Sequence, residues 1–425
     1  MTLAASEFPR LLAGMPASGA LGLRAHETLH GPLSLPTRRR SGTNHPLILE
    51  LKRAGLRGYG GAGFPTATKL HAVAAQGQRP AVVVNASEGE PLSQKDQLLM
   101  RHLPHSVIDG ALAVCATLGS DHVVFAIDEG ALDAARAVKL ALAERPELGR
   151  RGRAAVSFAF LPGGYITGQE TALLRVLNGG APKPTTTPPY PFERGLRGRP
   201  TLVSNAETFA QIGLVARHGA AWYRALGTES SPGTRLVSVS GAIGDSGVVE
   251  AAGGTTLRQL FNAAGGLTEP LQGILLGGYA GTWLCPDEAD LLIDEHTIRE
   301  HDAKLGAGIV FALPQSACVV AEVAGVAGWL HTQSAGQCGP CIHGLAAIAD
   351  ALANLCSEGD SSGAYRQIER WCGLVTQRGA CGLPDGAASF VASALHSFRV
   401  TFDDHARYGP CDACLTQRHL PTPSA

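Results

Sequence analysis

Ala81-Val82-Val83-Val84-Asn85-Ala86-Ser87-Glu88-Gly89-Glu90-Pro91 decides the fold. Four apolar residues in a row, three of them β-branched, read as a strand buried on both faces, as in a parallel sheet. The run turns polar at Asn85, so the strand runs directly into a loop carrying an amide and two carboxylates. Ligands of open α/β sheets sit beyond the carboxyl ends of the strands. That position makes Asn85, Glu88 and Glu90 candidate ligand contacts. Upstream stands Arg57-Gly58-Tyr59-Gly60-Gly61-Ala62-Gly63-Phe64-Pro65, with four glycines in six residues. Such a loop lets backbone N–H groups approach a phosphate or a flat ring, and Lys69 adds a charge. It fits neither a Walker loop nor the dinucleotide fingerprint.

Working outward, the pattern alternates. A helix is predicted over 45–54, a second strand at 123–127 after a helix over 104–117, then a helix over 131–144 and a third strand at 155–161. Strands alternating with helices argue for an α/β layer up to about residue 225. Residues 1–45 read as an irregular lead-in. The texture changes near 232: Leu236–Gly241 and Gly247–Glu250 alternate around a turn, Thr256–Ala264 is a short helix, and Gly273–Leu276 a further strand. This is a small β-rich module over 232–312. From Ser316 the pattern is helical, at 316–331, 341–356, 362–377 and 386–398, and four antiparallel helices form a small bundle. The polar, Pro-rich end, Thr416–Ala425, reads as loose. The expected units are therefore 1–231, 232–315, 316–405 and a Cys-containing tail, 406–425.

Of the 425 residues, 45% are hydrophobic and 17% charged, with a net charge of -1. At about 150 residues per domain this length holds two to four domains. The apolar content excludes a wholly disordered chain. The charge balance lacks the basic footprint of nucleic-acid binding. The longest apolar stretch, Ala307–Leu330, is broken by Pro314, Gln315, Ser316 and Glu322, so no direct membrane insertion is expected. No export signal stands out, which points to the cytoplasm and to reduced cysteines serving as packing residues, metal ligands or redox groups.

Two further segments repeat the logic of the first. Gly163-Gly164-Tyr165-Ile166-Thr167-Gly168-Gln169-Glu170 leads from the third strand into a helix and sets Gly168 and Glu170 at its start. Thr201–Thr208 opens another helix, whose free N–H groups suit a phosphate. Among the cysteines, Ser334-Ala335-Gly336-Gln337-Cys338-Gly339-Pro340-Cys341, Gly379-Ala380-Cys381-Gly382 and Gly409-Pro410-Cys411-Asp412-Ala413-Cys414 stand out. Cys115, Cys285, Cys318, Cys356 and Cys372 read as packing residues.

Over roughly 45–405 these segments, in this order, resemble the FMN- and NADH-binding flavoprotein subunit of respiratory complex I. Related members are the diaphorase subunits of NAD-linked hydrogenases and formate dehydrogenases. The resemblance implies an α/β FMN-binding domain with a β-grasp-like (ubiquitin-like) module and a C-terminal four-helix bundle bearing a 4Fe-4S cluster. By position, Gly58, Gly60, Gly61, Gly63 and Lys69 look like the flavin cradle, and Asn85 and Glu88 like flavin contacts. Glu90 looks like the residue that orients the nicotinamide amide. Tyr165, Gly168 and Glu170 look like the next wall, Asn205 and Thr208 like the phosphate end, and Phe64 and Tyr190 like the adenine platform.

The chain departs from the family pattern at Tyr59 (usually Arg), Ser87 (Asp), Gln169 (Glu), Ala72 (Phe) and Thr187 (Lys). A lost stacking contact costs about 1 kcal/mol, which implies weaker NADH binding. Fewer carboxylates repel a 2′-phosphate less, which opens the site to NADPH. In the cluster motif the first Cys is Ala335, leaving Cys338, Cys341 and Cys381 where four thiolates are usual. Cys411 is the expected recruit, with Cys414, His331, His343 and His405 as other options. A zinc site of Cys338, Cys341, Cys411 and Cys414 is the competing arrangement. The function implied is electron transfer from NAD(P)H through FMN to an iron-sulfur cluster. The redox partner is then ferredoxin-like or another iron-sulfur protein, in a membrane complex in some relatives. A flavin relay that has lost NAD(P)H, or a cofactor-poor scaffold within a redox complex, are the alternatives.

Overall fold

A computed structural model describes residues 8–35, 42–145, 154–357, 363–415 and 418–423. The first residues of the lead-in, the start of the helix expected at 362 and parts of the tail lie outside the described residues. The N-terminal half holds α1 (Leu23–His30), α2 (Pro46–Ala54), α3 (Thr66–Ala74), β1 (Ala81–Ala86), α4 (Lys95–His102), α5 (Pro104–Leu118), β2 (His122–Asp128), α6 (Leu132–Ala143), β3 (Ala155–Leu161), α7 (Glu170–Leu177), β4 (Thr201–Asn205) and α8 (Ala206–Arg224). The strands form a parallel sheet in the order β3-β2-β1-β4. Val82, Val83 and Val84 are fully buried in its centre, because helices cover both faces. Local chemistry sets the helix ends. Pro46 and Pro104 stand at first positions, where a missing N–H does no harm, and Gly55 and Gly119 close α2 and α5 in the left-handed conformation.

The middle segment holds β5 (Thr234–Gly241), β6 (Gly247–Ala252), α9 (Leu257–Ala263), β7 (Leu271–Leu276), β8 (Thr282–Leu284), α10 (Glu295–Glu300) and β9 (Ile309–Pro314). Its mixed sheet runs β6-β5-β9-β7-β8, with β5 and β9 parallel at the centre. The lead-in is tied to this sheet. The Glu250 carboxylate accepts the backbone N–H groups of Arg10, Leu11 and Leu12 at 2.9–3.0 Å and the Thr234 hydroxyl at 2.5 Å. The segment expected to be irregular therefore contains a helix, α1, and a buried anchor.

The C-terminal region holds α11 (Val319–Thr332), α12 (Leu345–Leu355), α13 (Ala364–Val375), α14 (Leu383–Ser397) and α15 (Arg399–Tyr408). Helices appear where the periodicity places them, with a fifth after the bend at Phe398. The described part of the tail is not loose. The N–H groups of His419 and Leu420 donate to the buried Glu322 carboxylate at 2.8 and 2.9 Å, and Leu420 is buried. No helix among the described residues is long and apolar enough to cross a membrane.

Candidate functional site

A cavity of about 850 Å³ opens at the carboxyl end of the parallel sheet. Its floor is the loop Gly58–Gly63 and the exit of β1, Asn85–Glu90. The middle segment adds residues 230–235 and 293–307, and the C-terminal region adds Gly382, Leu383, Asp385 and Gly386. The volume lies in the range of small-molecule sites.

The glycine loop is held from below. Tyr59 N–H donates to the Thr208 hydroxyl at 2.9 Å, and the Tyr59 hydroxyl meets that of Tyr223 at 2.8 Å and the Thr234 carbonyl at 3.2 Å. Tyr59 thus fixes the loop to α8 and β5. Thr208, expected at a phosphate, is fully buried and serves the loop instead. Gly61 has φ +109°, and a Cβ there would meet nothing within 4 Å. Its backbone therefore faces open space, as a flavin cradle requires.

The exit of β1 is braced. Asn85 Nδ2 donates to the Gly168 carbonyl at 2.8 Å, clamping the two loops together. A Cβ on Gly89 would lie 2.8 Å from the Gly164 carbonyl oxygen, so glycine is required at this crossing. Glu88 lines the cavity, but its carboxylate accepts Ser93 Oγ at 2.5 Å and the N–H groups of Asp96 and Gln97 at 3.1 and 3.0 Å. It caps α4 rather than reaching freely for a ligand. Beneath lies a charged group that sequence reasoning missed. Lys95, fully buried, pairs with Asp96 and Glu207 at 3.0 Å each and donates to Asn205 Oδ1 at 3.2 Å. Burial works against the Lys95 charge; Asp96, Glu207 and Glu88 outweigh it and hold the ammonium's pKa above the usual lysine range. Asn205 caps α8 by accepting Glu207 N–H at 3.0 Å and also lines the cavity beside Gly60.

Glu90 is the titratable centre of the site. Burial pushes its carboxyl up to about 7, opposed by the Tyr279 N–H, which donates to Oε2 at 3.0 Å. The Tyr165 hydroxyl faces the same carboxyl; burial and that charge hold it well above the usual phenol range. Tyr165 N–H donates to Gln333 Oε1 at 3.1 Å, and its ring meets Trp329 edge-on at 5.5 Å. Lys69 pairs with Glu170 at 3.0 Å, and neither is among the residues that line the cavity. Gln169 turns its amide oxygen to the N–H groups of Thr171 and Ala172 and so caps α7. Phe64 and Tyr190 are both exposed, and Tyr190 stacks on Phe192 at 5.4 Å.

Six of the ten cysteines fall into two groups. Cys338 and Cys341 are in contact, and Cys381 faces both. Backbone N–H groups of Ala380 and Cys341 are directed at the Cys338 sulfur, the usual support of a cluster thiolate. Ala335, at the missing fourth position, is buried. Cys411 does not join this group. Its sulfur lies 3.9 Å from that of Cys414, beside Cys318 and His405. The expected recruitment of Cys411 fails because the bend at Phe398 and α15 carry the tail to the start of α11, not to its end. The alternative zinc set fails for the same reason.

A glycine-cradled cavity whose wall continues into a cluster-type cysteine loop defines a flavin- and iron-sulfur-dependent electron-transfer protein. Residues 51–214 match the Nuo51 FMN-binding domain, and 321–405 match the NADH-ubiquinone oxidoreductase-F iron-sulfur binding region. The chain belongs to the family of NADH-quinone oxidoreductase F subunits. The F 2 subunit of NADH-quinone oxidoreductase from Rhizobium meliloti is 32% identical over 377 residues, covering 86% of this chain and 90% of that one. The mitochondrial NADH dehydrogenase (ubiquinone) flavoprotein 1 of Dictyostelium discoideum is 31% identical, covering 85% and 79%. Among solved structures, the NAD+-reducing NiFe hydrogenase in the H2-reduced state superposes with a TM-score of 0.78 at 27% identity, covering 90% of this chain and 67% of that one.

Proposed function

We propose that this chain oxidises a reduced nicotinamide nucleotide and passes the electrons, through FMN and a cluster on Cys338, Cys341 and Cys381, to an iron-sulfur redox partner. The observation that carries the reading is the shared wall. The cavity lined by Gly58–Gly63 is also lined by Gly382 and Leu383, which directly follow Cys381. FMN supplies the exchange between two-electron and one-electron chemistry when bound; the chain supplies position and electrostatics. The glycine loop offers backbone N–H groups at close range. Asn85 sets the distance between the β1 exit and the Gly168 turn. Glu90 sits where its carboxyl can take or give a hydrogen bond to a carboxamide, and its raised pKa lets it do either near neutral pH. Phe64 and Tyr190, both exposed, are the rings offered to an adenine, with Ala72 and Thr187 offering less than a ring and a cation would.

The units 1–231, 232–315, 316–405 and 406–425 complete the reading. The strand order β6-β5-β9-β7-β8, with α9 between β6 and β7, supports a β-grasp type for the middle unit, and the succession of α11–α14 supports the four-helix bundle. The partner docks on the helical region, beside the cluster. The relatives' names place them in quinone-reducing complexes, which supports a cytoplasmic chain held at a membrane through its partner. The test is an anaerobic absorbance spectrum of the purified protein before and after NADH. Flavin bands that bleach within seconds, over a broad iron-sulfur absorbance, are expected. A colourless protein, or flavin that neither NADH nor NADPH bleaches, refutes the proposal.

A further inference from the structure

The second cysteine group has no part in that reading. Cys318 lies at the N-cap of α11, His405 in the last turn of α15, and Cys411 and Cys414 flank a short turn in the tail. Their four ligand atoms all lie within 4.8 Å of one another. Cys318 Sγ is 3.4 Å from Cys414 Sγ and 3.3 Å from His405 Nε2, and Cys414 Sγ is 3.4 Å from the same nitrogen. From these positions we infer that Cys318, His405, Cys411 and Cys414 bind a single tetrahedral zinc ion that fixes the C-terminal tail to α11.

Three observations carry the inference. The first is spacing. Metal–sulfur bonds of about 2.3 Å at tetrahedral angles put sulfurs roughly 3.8 Å apart. The separations of 3.4 and 3.9 Å bracket that value. A four-iron cube holds each thiolate on a different iron, so its sulfurs stand farther apart than those sharing one ion. The second is the histidine. Its Nδ1–H donates to the Thr401 carbonyl at 2.8 Å, which fixes the tautomer and leaves the Nε2 lone pair facing the sulfurs. Such a backbone partner is the rule for a metal-bound histidine. The third is burial. Cys318, His405 and Cys414 are buried, while Cys411 closes the site from the surface. Ala321 N–H points at the Cys318 sulfur at 3.5 Å, as expected for a ligating thiolate. A further thiol, Cys356, lies beside Cys414 but outside the set.

The ion's role would be structural. Residues 419–423 are tied to α11 and its neighbour Tyr279: Glu322 accepts two backbone N–H groups, Tyr279 OH donates to the Pro421 carbonyl at 2.6 Å, and Trp329 Nε1–H to that of Pro423 at 2.8 Å. Tyr279 and Trp329 are also neighbours of Glu90 and Tyr165, so the staple secures the back wall of the cavity.

The test measures zinc and iron separately in the anaerobically purified full chain, in wild type and in Cys411→Ser, Cys338→Ser and Cys356→Ser. Cys411 is exposed, so its substitution is compatible with folding. The inference expects one zinc per chain in wild type, Cys338→Ser and Cys356→Ser. It expects at least a tenfold loss of zinc retention against a chelator in Cys411→Ser, with iron unchanged. Trypsin should then cut after Arg418 more than tenfold faster in Cys411→Ser than in wild type. Cobalt in place of zinc should show the visible bands of a tetrahedral thiolate site. Wild type without zinc that takes up none when it is added, zinc retained in Cys411→Ser, zinc lost with Cys356→Ser, or iron at this position would each overturn the assignment. Loss of iron alone would strike the cluster reading and leave this one standing.

Discussion

Thr208→Val tests whether the glycine loop is preformed. The substitution keeps side-chain shape and replaces the hydroxyl that accepts Tyr59 N–H at 2.9 Å with a methyl group. Thr208 is fully buried, so water cannot take its place. An orphaned buried N–H costs about 1–3 kcal/mol. If the loop relaxes to find another partner, that penalty appears in flavin binding, a loss of about 5- to 150-fold in affinity. The Tyr59 hydroxyl still reaches Tyr223 and Thr234, which limits the movement and favours the lower part of the range, near tenfold. The assay is quenching of FMN fluorescence on titration with the apoprotein, beside Thr208→Ser, which retains the acceptor and should bind as wild type does. An affinity within twofold of wild type, with a lowered Tm, would refute the reasoning: the bond would then support α8 alone.

Gly61→Val should give folded protein with little or no FMN, because the side chain enters the cavity and the positive φ adds about 1–3 kcal/mol of strain; flavin release on denaturation measures the stoichiometry. Glu90→Gln should remove a pH dependence. The folded-state pKa of about 7 lies above the ordinary 4.5, so wild type loses stability as pH rises between these values. The variant should be the more stable above pH 7, by at most about 3 kcal/mol, and equal below pH 4; Tm against pH checks this. Lys95→Met leaves Asp96 and Glu207 buried without a cation and should lose about 3–5 kcal/mol at neutral pH. Burial pushes the Glu207 carboxyl up, so its protonation should shrink the loss in acid, which denaturant titrations at two pH values would show.

The elements were legible where one local rule governs. Val82–Val84 could only be a doubly buried strand, and Pro104 and Gly119 mark both ends of α5. The glycine loop was legible because its backbone geometry demands glycine, which leaves a compositional trace. What stayed hidden depends on long-range pairing. Nothing near Thr208 says that its hydroxyl turns inward to Tyr59, 149 residues away. Lys95 looks like any first-turn lysine until Glu207 is brought beside it. Cys318, in an apolar run, reads as packing; its partners lie 87 to 96 residues later. The available signal was the tail C-x-x-C following His405, which marks a ligand set without saying which thiol completes it.

The cavity's walls come from residues 58–63, 230–235, 293–307 and 382–386. A polypeptide emerges from its N-terminus, so the parallel sheet and the glycine loop are available long before the last wall is made. Enclosure of the cofactor is therefore deferred until about nine-tenths of the chain has been synthesised and its helices have docked. Cofactor retention becomes a chemical report on completion: a truncated or stalled product can form its first sheet and still fail to keep the flavin.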